Sequence, residues 1–299
     1  MSTERVEAPL RNANVEARFG RPLPVVGMVH LSPLPGSPGW GGAMEPVLER
    51  AMADARSLAE GGVDGVLVEN FGDVPFHPGP VPPETVAALA LAVSRIQAVL
   101  EDQAGREDSH PPRAPLPVGL NVLRNDARAG VGIAAATGAE FLRVNVHTGS
   151  MFTDQGLLEG RAHETLRERT RLAPGVLLLA DVHVKHATPP AGASLEEAAR
   201  DAAHRGLADI LVISGSGTGQ ATDPERIRRV RRAVPETPVW VGSGADATTA
   251  RTLVGAGAQG FIVGSALHRD GEAGRGIDPA RVRAFVAAVR QATAHLADG

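Results

Sequence analysis

The chain has 299 residues, of which 43% are hydrophobic, and a formal net charge of −4. This length suits one large α/β barrel or two average domains, and the slightly acidic balance argues against a general nucleic-acid binder. Cysteine and tyrosine are absent, which excludes disulfides, thiolate metal sites, cysteine nucleophiles and tyrosine acid–base chemistry. We find no secretory signal and no apolar run near the roughly 18 residues that span a bilayer, so we expect a cytoplasmic protein without an integral membrane segment.

Eight short β-branched segments alternate with amphipathic helical segments along the chain. The predicted strands cover residues 24–30, 65–70, 117–123, 141–147, 176–185, 209–214, 238–244 and 260–266. Eight β–α units in a chain of this size predict a single-domain (β/α)8 TIM barrel, an α/β fold, over residues 21–299. Residues 1–20 are predicted as an N-terminal arm, and a doubly wound open sheet is the alternative fold.

Polar residues lie in the first three predicted strands, at or near their carboxyl ends. His30 ends the first strand, Glu69 lies near the end of the second, and Asn121 lies within the third. Barrels of this class have their active sites at this end. We therefore predict a catalytic role for Glu69 and substrate-binding roles for His30 and Asn121, with structural roles for Glu69 and His30 as the alternative.

The fourth and fifth predicted strands carry valines on one face and polar side chains on the other, because successive strand residues point to opposite faces. The valine faces suit packing against the outer helices, which directs the polar faces into the barrel, where they need a ligand or one another. We predict substrate-binding roles for the first polar set and catalytic roles for the second. These sets are Arg143, Asn145 and His147 in the fourth strand, and Asp181, His183 and Lys185 in the fifth.

Lys185 is the only lysine among the 30 lysine and arginine residues. Arginine keeps its charge near neutral pH and cannot form an imine, so this lysine indicates amine chemistry or a compact ammonium; chance retention is the alternative. In a regular strand Asp181 and Lys185 would lie about 13 Å apart, which predicts no direct ion pair between them. Asp181 is expected to orient His183 or to act alone as an acid or base.

The last three predicted strands end in glycine-rich turns, "SGSGTG", "VGSGA" and "VGSA". Glycine lets backbone N–H groups approach an anion closely, and the loops after the seventh and eighth strands are the usual phosphate site of such barrels. The alternative is that these turns need glycine for their geometry alone. We predict substrate contact by Ser214 and phosphate binding by Gly215, Gly217, Gly242, Ser243, Gly244, Gly264 and Ser265.

A metal site is a competing hypothesis, although no cofactor is predicted. Its ligands would be a histidine and carboxylate set for Zn²⁺, Mn²⁺ or Fe²⁺. The first strand lacks an HxH pair, the eighth lacks an aspartate, and no HExxH motif occurs. The competing metal set is His30, Glu69, His147, Asp181 and His183. His268 is outside this set and is predicted at a surface or loop position.

Several of these segments resemble the BtpA/SgcQ family over about residues 24–270. They include "VVGMVHLSPLPGSPGW", "VLVENFGDVPF", "GLNVLRND", "FLRVNVHTG", "ADVHVKHA" and "VWVGSGA". The resemblance implies a TIM-like barrel with a phosphate-binding end. The family name derives from a role in photosystem I biogenesis at thylakoid membranes, whereas other members look like sugar-operon enzymes. Its motifs fall on His30, Glu69, Asn121, Asn145, His147, Asp181, His183 and Lys185.

Together these features predict an enzyme that acts on a small phosphorylated metabolite, either a sugar phosphate or a phosphosugar-linked heterocycle. Lyase, aldolase or isomerase chemistry fits the acid–base groups best. One alternative is a non-catalytic BtpA-like biogenesis or stability factor for a membrane complex, and another is a metal-dependent hydrolase. We expect a homo-oligomer by analogy with other barrels.

Overall fold

Eight parallel strands form a closed barrel, which confirms the predicted (β/α)8 fold in a single domain. The computed structural model describes residues 8–105, 114–215 and 221–297. In chain order the strands are β1 (Val25–His30), β2 (Gly65–Glu69), β3 (Val118–Asn121), β4 (Phe141–Val144), β5 (Ser150–Thr153), β6 (Gly156–Glu159), β7 (Leu177–Asp181), β8 (Ala187–Thr188), β9 (Ile210–Ile213), β10 (Val239–Val241) and β11 (Phe261–Val263). Around the barrel the strands follow the order β1, β2, β3, β4, β7, β9, β10, β11 and back to β1.

Helices surround this barrel and cover its outer face. Every residue of the eight barrel strands is buried, as expected for a parallel sheet covered on both faces. The helices are α1 (Ala8–Phe19), α2 (Glu45–Gly61), α3 (Pro83–Ala104), α4 (Ala127–Thr137), α5 (Ala162–Leu172), α6 (Leu195–Arg200), α7 (Pro224–Ala233), α8 (Ala250–Gly255) and α9 (Pro279–Ala297). Residues 201–205 extend α6 as a π-helical turn.

The amino end of the barrel is filled by apolar side chains. Phe19 of α1 packs edge-on against Phe141 and Trp240, with ring centroids 5.3 Å and 5.2 Å apart. Val15 joins the same lumen cluster. From Ala8 onward, the segment predicted as an arm is therefore a helix that closes this end of the barrel. The apolar floor leaves the carboxyl end as the place where polar side chains can meet.

A small antiparallel sheet, which the sequence did not predict, lies beside the carboxyl end. β5 pairs with β6 and with β8, and the inner face of this sheet packs on Val146 and Val184. The fourth and fifth barrel strands end at Val144 and Asp181, earlier than predicted. Val146 and Val184 therefore lie beyond the barrel strands, and the small antiparallel sheet packs against them.

The helix α3 is long and apolar enough, by length and composition alone, to span a membrane, with a mean hydropathy of 1.3. Among the described residues it is the single helix of this kind. In the structure α3 packs between α2 and α4, and Leu89, Val93 and Ile96 are buried. The buried apolar side chains of α3 thus pack within the helical layer that surrounds the barrel.

We predict that Phe19→Ala lowers the free energy of unfolding by about 3 kcal/mol, because it removes a buried ring from the barrel floor. Urea denaturation followed by circular dichroism measures the change. Glu16→Ala alters an exposed side chain of the same helix and is the control. Equal stability of the two variants would contradict the floor role of α1.

Candidate active site at the carboxyl end of the barrel

A cavity of about 530 Å³ opens at the carboxyl end of the barrel. His30, Glu69, Arg143 and Lys185 line one part of it. The rest is lined mainly by residues 242–248 after β10 and 263–266 at the end of β11, with Arg281 of α9 nearby. The structure thus brings residues predicted as catalytic, substrate-binding and phosphate-binding to one cavity.

A buried ion pair joins β4 to β7 at the base of this cavity. The Arg143 guanidinium donates two hydrogen bonds to Asp181, from Nε to Oδ2 at 3.0 Å and from Nη2 to Oδ1 at 2.9 Å. Asn145 Nδ2 donates to Asp181 Oδ2 at 2.7 Å, and Ser214 Oγ approaches Oδ1 at 3.5 Å. Burial opposes the charge on Arg143, yet Asp181 and Glu69 raise its pKa above the ordinary value. Asp181 therefore holds Arg143, and it does not orient His183.

The hydrogen-bond network continues from this pair to Glu69. Asn121 Nδ2 donates to Glu69 Oε2 at 2.7 Å and lies 3.4 Å from Asn145 Oδ1. Since Asn145 also bonds Asp181, the two asparagines connect the two buried carboxylates. Predicted residues in four neighbouring barrel strands, with Asn145 and Ser214 just beyond two strand ends, thus form one connected polar layer, as buried polar groups require.

Lys185 reaches the cavity from the loop that follows β7. Among the described residues, no carboxylate lies within ion-pairing distance of its amine. The predicted separation from Asp181 assumed a regular strand through Lys185, whereas the strand ends at Asp181. Burial lowers the pKa of Lys185; the charges of Arg143 and Arg124 add to this effect, and those of Glu69 and Asp181 oppose it. The amine therefore loses its proton more readily than an exposed lysine does.

Arg124 is a buried residue of the site that the sequence analysis missed. It follows β3 in the segment "NVLRND", and its Nη2 donates to the backbone carbonyl of Lys185 at 2.8 Å. This bond fixes the backbone from which the lysine side chain extends. The local sequence gives little sign of it, because the partner lies 61 positions away.

His30 contacts a second buried histidine, His268. His30 Nδ1 lies 3.2 Å from His268 Nε2, and His30 Nε2 lies 3.8 Å from Glu69 Oε1. Burial lowers the pKa of His30, helped by His268, Lys185 and Arg143, and burial also lowers the pKa of His268 to about 4. His268 is predicted at a surface or loop position. It does lie in the turn after β11, but a surface position is wrong, because the residue is 0% exposed.

The structure does not bring His147 or His183 to the cavity. His147 Nε2 lies 2.7 Å from the carbonyl of Gly206, which follows the π-helical turn outside the barrel. His183 has a positive φ of 54° and lies near charges of α6 and α7, namely Glu196 and Arg229. The strand alternation used to place both histidines fails because β4 and β7 have already ended. The residues of the competing metal hypothesis, namely His30, Glu69, His147, Asp181 and His183, are therefore not brought together.

The turns after β10 and β11 present unused hydrogen-bond donors to the cavity. The backbone N–H groups of Ser243, Gly244, Gly264 and Ser265 bond to no other described residue. The buried Ser243 hydroxyl also lacks a partner in the described part of the chain. Gly244 has a positive φ of 69°, which favours glycine.

A glycine is also required at position 242, immediately before these donors. A Cβ on Gly242 would lie 2.3 Å from Val212 and 3.0 Å from an Arg143 nitrogen. The turn thus approaches the Arg143–Asp181 pair closely. Gly215 is buried but is not among the residues that line the cavity, and Gly217 lies outside the described residues.

Comparison with known proteins gives a family and a fold. A family model described as the BtpA family matches residues 21–291. The Photosystem I biogenesis protein BtpA of Synechocystis sp. is 47% identical over 268 residues, which cover 90% of this chain and 88% of that protein.

Two solved structures from Pyrococcus furiosus are similar in fold. Thiamine phosphate pyrophosphorylase matches with a TM-score of 0.56 and 14% identity, over 92% of this chain and 98% of that chain. N-(5'-phosphoribosyl)anthranilate isomerase matches with a TM-score of 0.52 and 16% identity, over 90% and 99% of the two chains. Both are similar to this chain as barrels, and at these identities the similarity concerns the fold alone.

We predict a coupling of about 2 kcal/mol between Arg143 and Asp181, because removal of either partner leaves the other buried without a counter-charge. A double-mutant cycle with Arg143→Met, Asp181→Asn and the double variant measures it by urea denaturation. A cycle on the exposed pair Arg171–Glu168, joined at 2.6 Å, is the control and should give a much smaller coupling, because water and salt screen an exposed pair. Additive effects at the buried pair would contradict the prediction.

Proposed function

The chain belongs to the BtpA family, and we propose that it is an enzyme acting on a small phosphorylated metabolite by lyase, aldolase or isomerase chemistry. One observation carries the proposal: Glu69 and Lys185 line the same cavity as two turns with unused N–H donors. The substrate would be a sugar phosphate or a phosphosugar-linked heterocycle. We place the activity in the cytoplasm and expect a homo-oligomer.

The phosphate group would bind at the turns after β10 and β11. The free N–H groups of residues 243, 244, 264 and 265, with the Ser243 hydroxyl, supply hydrogen-bond donors, and the Arg281 side chain lines the same cavity. Backbone N–H groups in glycine-rich turns are common phosphate ligands in barrels. Asp246 lines the same cavity, but its carboxylate accepts hydrogen bonds from Thr248 and Thr249 within its own turn. This reduces its repulsion of an anion.

The reacting end of the substrate would lie toward Lys185 and Glu69. A neutral Lys185 amine can attack a carbonyl carbon, and the resulting carbinolamine loses water to give an imine. Glu69 would transfer the protons of these steps. Arg143, held rigidly by Asp181, would donate to a substrate oxygen. In this scheme Asp181 positions Arg143 and does not itself exchange protons.

A second candidate function is supported by the relative that is 47% identical, whose name describes photosystem I biogenesis. A non-catalytic assembly factor needs a docking surface. Phe152 and Leu157 pair across β5 and β6, and both are exposed. Flotation of the protein with membranes, together with no thermal stabilisation by any phosphorylated metabolite, would favour this candidate over the enzyme.

We predict that Lys185→Arg lowers kcat by about 10³-fold or more, because arginine keeps the charge but cannot form an imine. The substrate comes from a thermal-shift screen of phosphorylated aldehydes and ketones. Borohydride treatment with this substrate should add its mass to the peptide that contains Lys185. Full activity of Lys185→Arg would eliminate amine chemistry at this site.

We also predict that inorganic phosphate raises the melting temperature and that Ser243→Asp abolishes this rise, because a carboxylate would repel the anion from the turn. Ser243→Ala should weaken phosphate binding by about tenfold, the value of one hydrogen bond to a charged group. Ser94→Asp adds the same charge to an exposed position of α3 and is the control. Unchanged phosphate binding by Ser243→Asp would place the anion site elsewhere.

A further inference from the structure

We propose that His268 is a positioning residue for the active site: its Nε2–H donates to His30 Nδ1 and holds His30 as the tautomer whose Nε2–H faces the cavity. The tautomer follows from the geometry of the two rings. The role of His268 in turnover rests on the function proposed above. It extends that function, because the tautomer of His30 defines a chemical feature of the substrate.

The direction of the hydrogen bond follows from the outer nitrogens of the two rings. His268 Nδ1 is buried and has no partner among the described residues, whereas His30 Nε2 faces Glu69 Oε1 at 3.8 Å. If His30 donated, His268 would bury an unpaired N–H, and His30 Nε2 would turn a lone pair toward a carboxylate. If His268 donates, its Nδ1 carries only a lone pair, which is less costly to bury than an unpaired N–H. His30 Nε2 then carries the hydrogen and turns it toward the Glu69 carboxylate.

The surrounding contacts fix the orientation of His30. Its ring contacts the rings of Phe71 and His268, with centroids 4.5 Å and 5.2 Å away. The backbone of Gly264 is also close, since a Cβ added there would lie 2.8 Å from His30 Cε1. Only glycine at position 264 leaves room for this ring, so the same turn that offers N–H groups to phosphate also seats the imidazole.

Burial is the main factor that disfavours the charged form of both rings, and the cations around the pair add to it. Lys185 and Arg143 face His30, and Arg50 of α2 lies near His268. Glu69 is the carboxylate that faces His30. Burial together with these cations lowers the pKa of both histidines below the ordinary value.

The His30 Nε2–H is available to a substrate, because 3.8 Å to Glu69 is too long for a hydrogen bond. A neutral imidazole donor suits the carbonyl oxygen, which gains negative charge when the Lys185 amine adds to the carbonyl carbon. Once that oxygen has left as water, Glu69 beside it can accept a proton from the carbon next to the protonated imine, whose nitrogen takes up the electron pair. The site therefore favours a phosphorylated aldehyde or ketone whose α-carbon carries a proton.

The test of the tautomer is nitrogen-15 NMR of the full chain labelled at histidine, at neutral pH. We expect His30 to be protonated at Nε2 and not at Nδ1, with a scalar coupling across the hydrogen bond from His268 Nε2. Spectra of His268→Gln and His30→Gln assign the two sets of signals. Protonation of His30 at Nδ1, or a charged His30, would overturn the proposal whether or not a substrate is known.

The test of the role in turnover compares His268→Gln with His268→Met. Glutamine can place an amide N–H where His268 Nε2 stood, whereas methionine has a similar length and no donor. We expect kcat to fall by about 30-fold in the methionine variant, with KM changed less than about threefold, and to recover within about threefold in the glutamine variant.

These outcomes separate the inference from the proposed function. Equal kcat values in the wild type and both variants would reject the positioning role, even if the NMR signature were present. Equal losses in both variants, or a changed far-UV circular dichroism spectrum in the methionine variant alone, would also reject it in favour of a packing role. If no phosphorylated carbonyl compound reacts, the function fails, and the NMR spectrum still decides the tautomer.

Discussion

The ion pair between Arg143 and Asp181 is the interaction on which the rest of the site depends. Two opposite charges buried in a barrel lumen are stable only if the hydrogen bonds around them are satisfied. The bidentate contact and the donors Asn145 and Ser214 meet this need at Asp181. Asn145 also contacts Asn121, which donates a hydrogen bond to Glu69. The positions of the Asp181 and Glu69 carboxylates therefore depend on each other.

The lumen is divided into an apolar floor and a polar mouth. Phe19, Phe141 and Trp240 fill the floor, so water is excluded from the base of the polar layer. In such surroundings each charge acts over a longer range than in water. The lowered pKa of Lys185 and the lowered pKa values of the two neighbouring histidines have this common origin, since burial is the largest cause for each.

In the proposed enzyme, the two turns at β10 and β11 would connect phosphate binding with the reacting side chains. Residue 242 approaches the Arg143 guanidinium, and residue 264 makes room for His30, while the N–H groups that follow remain free. An anion bound there would contact backbone that is packed against the reacting side chains. This arrangement explains why small residues are needed at these positions, for packing and for ligand access together.

The sequence by itself determined the eight strands, the closed barrel, the family resemblance and the inward face of Arg143 and Asp181. These features depend on strand periodicity and glycine position, which local sequence records directly. The tertiary structure decided what happens beyond the strand ends, where alternation no longer applies. It turned His147 and His183 away from the cavity, brought Lys185 back to it and recruited Arg124 and His268 from loops. Those placements depend on contacts between residues far apart in the chain, such as the 238 positions between His30 and His268, and no local pattern contains them.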